Sequence, residues 1–139
     1  MHVRTVWLAL LAALVLPTTS ACGGASADDV TGVTRAFYQA IGSQDGATAC
    51  RLLAPPTRSE VESSSGEPCA QGILEEDVQE GTGAPRVKVY ATMALVRWAQ
   101  ETTFVTRYDF GWRVYAAGCS PDPQSPADAD RYDCNVQGG

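Results

Sequence analysis

The stretch "RVKVYATMALVRWA", residues 86–99, decides the fold. Its apolar positions alternate through Val87, Val89, Ala91, Met93 and Leu95, and the opposite face carries Lys88, Tyr90, Thr92 and Trp98. A period of two is the signature of a β-strand with one buried side. The segment predicts one strand, or two with a bulge near Ala91. Gln100 and Glu101 then make a turn, and "TTFVTRYD" (102–109) is a second strand rich in β-branched and aromatic residues. "DFG" (109–111) predicts a tight hairpin with Gly111 free to take positive φ, and "WRVYAAGC" (112–119) returns.

Upstream of Pro85 the period is helical. Val30, Val33, Phe37 and Ala40/Ile41 share one face of a helix that starts near Ser26 or Asp28 and stops at Gly42. Asp45 is a fitting N-cap for a second helix that buries Ala47, Cys50, Leu53 and Ala54 and ends at Pro55 and Pro56. Thr57 caps a short third turn through Val61 and Glu62, and "SSSGEP" (63–68) reads as a loop. Residues 70–74 form a further turn, and the acidic stretch 75–85 is a solvated connection. The tail 120–139, rich in Pro, Asp and Ser, would be disordered on its own. Helices first and an antiparallel meander after them make an α+β domain, with the N-terminal helices packed on a curved antiparallel sheet.

The first 21 residues stand apart. Arg4 without an acid, the apolar run "VWLALLAALVL" (6–16), Pro17 and a small-residue exit describe a secretory signal peptide over 1–21. The run is too short for a bilayer span, which takes about 18 or more residues. After cleavage near Cys22 the chain keeps nine Arg and Lys against sixteen Asp and Glu, a net charge of −7. Such a surface repels nucleic acid and anionic headgroups, and no basic run exists to bind a phosphate backbone. The only histidine, His2, leaves with the leader. Imidazole bases, Ser–His or Cys–His nucleophiles and His metal sites are therefore excluded from the mature chain.

Five cysteines divide by parity. In an oxidising compartment Cys50, Cys69, Cys119 and Cys134 form an even set with three available pairings, of which sequence neighbours, Cys50–Cys69 and Cys119–Cys134, close the shortest loops. No C-x-x-C spacing points to metal or redox chemistry, so no cofactor is expected. Cys22 is left over at the first mature position.

"TSAC" (19–22) after an apolar run resembles the lipobox of bacterial lipoproteins, whose cysteine receives a diacylglycerol. It departs at Thr19, where that family carries Leu; ordinary cleavage after "TSA" is the alternative and would release a soluble protein. The resemblance implies lipidation of Cys22, a flexible lipidated tether over 22–27, attachment to the extracytoplasmic face of the cell membrane, and a domain over 28–139. "VTRAFYQAIGSQDGATACRLLAP" (33–55), "WRVYAAGC" (112–119) and "RYDCNVQGG" (131–139) resemble small lipoproteins of high-GC Gram-positive bacteria, with a fold similar to the NTF2-like cone of ketosteroid isomerase and SnoaL-type cyclases.

That resemblance implies a non-catalytic module that binds a small apolar ligand or an envelope protein, with Tyr38, Tyr90, Trp98 and Trp112 around a cavity. A small enzyme using a carboxylate base is the alternative, but Asp29, Glu101 and Asp109 all fall at element ends. A homodimer through the open sheet face, using Tyr90, Thr92, Thr103 and Arg113, is a further expectation.

Overall fold

The computed structural model describes residues 24–121 and 131–139. The signal peptide and Cys22 lie outside the described residues. Four helices, α1 (Gly24–Gly42), α2 (Gly46–Leu52), α3 (Pro55–Ser65) and α4 (Cys69–Glu75), precede five strands, β1 (Arg86–Tyr90), β2 (Met93–Arg97), β3 (Thr102–Tyr108), β4 (Gly111–Pro121) and β5 (Tyr132–Gln137). The strands form one antiparallel meander in sequence order. The α+β layout read from the sequence is the one observed.

α1 buries Val30, Thr34, Phe37 and Tyr38, a stripe at helical spacing. Thr34 tolerates complete burial because its hydroxyl donates to the Val30 carbonyl at 2.8 Å. The helix begins at Gly24, ahead of the expected start, and takes in residues 24–27 that the sequence assigned to a flexible tether. Asp45 caps α2 as expected, its carboxylate accepting from the Thr48 N–H at 3.0 Å. Two bonds from Thr48 hold the Asp45 carboxyl below its ordinary range.

Pro55 and Pro56 open α3, where a missing N–H and a fixed φ cost nothing. The third helix is consequently longer than the turn expected from Thr57. Its start is bound to the sheet: the Ala54 N–H donates to the Val114 carbonyl at 2.8 Å, and the Thr57 hydroxyl to the Tyr115 carbonyl at 2.7 Å. α2 and α4 touch backbone to backbone at Gly46, where a Cβ would sit 1.8 Å from the Ala70 carbonyl oxygen. Cys50–Cys69 joins the same two helices, and Cys119–Cys134 joins facing residues of β4 and β5. Both pairs are sequence neighbours, and both bonds fit an oxidising, extracytoplasmic compartment. Among the described residues no helix is long and apolar enough to cross a membrane.

β1 and β2 are two strands joined by the two-residue turn Ala91–Thr92, with Ala91 at φ 49°. Tyr90 faces Met93, Val89 faces Ala94 and Val87 faces Val96. The turn reverses the parity of the apolar set. Ala94, Val96 and Trp98 point to the core, and Met93 and Leu95 point away from it, the opposite of the simple alternation. The hairpin at Asp109–Phe110 forms as expected, with Gly111 at φ 106°. The tail supplies β5, a strand the sequence reading did not contain; pairing with β4 and Cys119–Cys134 hold it.

All four helices lie against one sheet face. Phe37, Ile73, Val30, Val96, Val105 and Val114 are its fully buried centre.

Candidate functional site

The aromatics expected around a cavity do not share one. Tyr38 and Trp98 meet edge to face, with ring centroids 5.7 Å apart, and both belong to the packed core. Trp112 is buried on the same sheet face, with the Arg107 guanidinium 6.0 Å from its ring. Tyr90 is 56% exposed at the end of β1 and points to the other side of the sheet. The parity reversal at Ala91–Thr92 causes that separation. Thr103, expected on the exposed face, is completely buried.

What gathers instead is a polar knot under one end of the sheet. The β2–β3 connection closes with the Trp98 N–H donating to the Glu101 carbonyl at 2.8 Å, which turns the Glu101 side chain inward beside Trp98. Glu101 Oε1 accepts from the Tyr38 hydroxyl. The Gly118 N–H donates to the same oxygen at 3.2 Å. Thr103 Oγ1 lies 2.7 Å from the Tyr38 oxygen and 3.2 Å from Oε1, so its single proton can serve either. Glu101 Oε2 is buried with no hydrogen-bond partner. Burial, and then the Glu101 carboxylate it donates to, push the Tyr38 phenol far above the ordinary tyrosine range and keep it protonated.

The sequence reading placed Glu101 at a turn. One signal could have found it: extending the alternation of β3 back by one step puts Glu101, Thr103 and Val105 on a single face, and that face is the core. Asp29 and Asp109 are exposed, as their positions at element ends implied.

Two clefts flank the knot on either side of residues 76–80. One, of about 400 Å³, is lined by Asp77, Glu80, Glu101, Gly118 and Asn135. The other, of about 480 Å³, is lined by Tyr38, Ile41, Leu74, Glu76 and Val78. Both are open to solvent, and neither is the apolar interior of a cone. Desolvation, and then neighbouring Glu75, raise the Glu76 carboxyl above its ordinary range. Among the described residues no group of three or more His, Cys, Asp or Glu could hold a metal ion.

With three donors converging on Oε1 and Oε2 closed to solvent, Glu101 has no accessible lone pair to offer a substrate. The knot ties α1, the β2–β3 turn and β4 together, so its chemistry as arranged is structural.

No family model matches the chain, and neither a curated protein nor a solved structure matches it.

Proposed function

We propose that the protein is a lipid-anchored extracytoplasmic module on an NTF2-like frame that works by surface interaction and not by catalysis. The observation that carries this reading is the contrast between the two sheet faces. The helix-covered face is filled with side chains, Tyr38, Trp98 and Trp112 among them, whereas the other face presents Tyr90, Met93 and Phe110 at 43–58% exposure. Large apolar side chains left in water without a covering layer mark a contact surface. Attachment through Cys22 rests on the lipobox resemblance and fits the oxidising compartment that the two disulfides favour.

The test has two arms. A Cys22→Ser chain is expected to lose its acyl mass and leave the membrane fraction; an unmodified wild-type chain in the medium would end the anchoring claim. A photo-crosslinking residue at Tyr90 is expected to trap a neighbour in cells, and one at Gln71 on α4 is not. The reverse pattern would move the contact surface to the helices.

A second reading, a small enzyme with a carboxylate base, has the buried Glu101 beside Tyr38 as its support. It requires Oε2 to open to substrate. Turnover of any ketosteroid-type substrate that is lost in Glu101→Gln, with folding intact, would establish it.

A further inference from the structure

Charge is divided between the two halves of the chain in a way the net value hides. Residues 24–85, which form the helices, carry ten acids against Arg35, Arg51 and Arg58. On the uncovered sheet face the register aligns Arg86 with Arg97, Lys88 with Leu95, Tyr90 with Met93, and Thr106 with Arg113. Four cations therefore share that face, and the register places no acid among them. Between them lie Leu95, Phe104 and Tyr132, with Phe104 and Tyr132 edge to face at 5.1 Å. Arg97 donates to the Tyr132 hydroxyl at 2.6 Å, and the Arg113 guanidinium stands 4.9 Å from the Phe110 ring. Arg86 and Lys88 have no ion-pair partner among the described residues.

We infer that this face docks on an anionic lipid surface. The inference deepens the interaction reading above by naming what the sheet face meets; it does not use the lipid anchor. Basic side chains interleaved with exposed Tyr90, Met93 and Phe110 are the chemistry of an interfacial binder, in which cations meet headgroups and apolar groups enter the boundary. A protein partner with an acidic surface would account for the cations but would not call for apolar tips rimmed by free Arg and Lys. The acidic helical layer does not cancel the attraction. It lies about one helix diameter, ~10 Å, behind the sheet, and charges are screened over about 8 Å at physiological ionic strength.

The experiment mixes the full chain carrying Cys22→Ser, and so free of acyl groups, with vesicles of equal parts phosphatidylglycerol and phosphatidylcholine, or of phosphatidylcholine alone. Binding is expected to the anionic vesicles only and to fade as salt rises. Arg86→Gln and Lys88→Gln are each expected to weaken partition about fivefold, the factor that ~1 kcal/mol per cation near such a surface corresponds to. Arg58→Gln on α3 is expected to leave it unchanged. Equal binding to neutral vesicles, no binding, or an equal loss in Arg58→Gln overturns the inference. Because the wild-type salt titration uses no variant, a misfolded mutant cannot rescue the idea. If the Tyr90 crosslinker traps protein while vesicles fail to bind, the interaction reading stands and the lipid inference falls. Crosslinks confined to α4 bring down both.

Discussion

Glu101 shows how one residue decides whether an interior is chemistry or scaffold. Its Oε1 collects Tyr38, Gly118 and the reach of Thr103, and hydrogen bonds to a charged group each contribute roughly 1.5–3 kcal/mol. Glu101→Gln and Tyr38→Phe are each expected to destabilise by roughly that amount in urea denaturation. The double variant should cost clearly less than the two together, because each deletion breaks the same bond; strict additivity would dissolve the knot as a unit. Tyr38 also predicts a pH dependence. Its folded phenol is held far above the ordinary value of about 10. Below pH ~10 its proton is bound in both states and the contribution is complete. Above it the unfolded chain releases a proton that the folded chain keeps, so stability falls by about 1.4 kcal/mol per pH unit. Tyr38→Phe should remove that fall, measured as the difference between the two proteins' urea stabilities on either side of pH ~10; equal losses would show that Tyr38 titrates freely. None of this was legible while Glu101 was read as a turn residue, since a turn assignment says nothing about which way its side chain points.

At the scale of elements, local patterns carried the reading where one segment decided its own structure. The period of α1, the Asp45 cap, the hairpin at Gly111 and the α+β order all follow from residues close in sequence. The misses share a cause: each depended on a partner far along the chain. Ala91 and Thr92 carry no turn-forming Gly or Asn, so the parity reversal shows only once Tyr90 is paired with Met93. β5 exists because β4 offers it an edge and Cys119 a tether, although its own composition is that of a loop. Gly46 illustrates the same dependence, for nothing near it in sequence announces the Ala70 backbone against it. Gly46→Ala must push α2 off α4, and overpacking of this kind typically costs 1–3 kcal/mol, or a fall in melting temperature of roughly 4–8 °C per kcal/mol for a domain near this size. Because Cys50–Cys69 pins those helices, the strain cannot relax by separation. Gly42→Ala, where a Cβ meets nothing within 4 Å, is the control and should leave the melting temperature nearly unchanged.

For the whole molecule the consequential feature is the polarity from acidic helices to basic sheet, and it bears on self-association. A symmetric dimer through the open face would place Arg86, Lys88, Arg97 and Arg113 of one copy against the same four of the other, because a two-fold interface uses one patch twice. Burying Tyr90 and Met93 there favours contact, at roughly 25 cal/mol per Å² of apolar surface removed. Facing cations oppose it, and at low ionic strength the opposition reaches about 30 Å, enough to act across the whole patch. Repulsion should dominate in dilute salt. Sedimentation of the Cys22→Ser chain is expected to give the monomer mass at every concentration there, with any association emerging only as salt rises. Lys88→Glu and Arg97→Glu together should relieve the repulsion and let the apolar patch pair at low salt. A wild-type dimer that persists in dilute salt would mean that the face is already occupied by a second copy, and a face so occupied has no cations free for lipid.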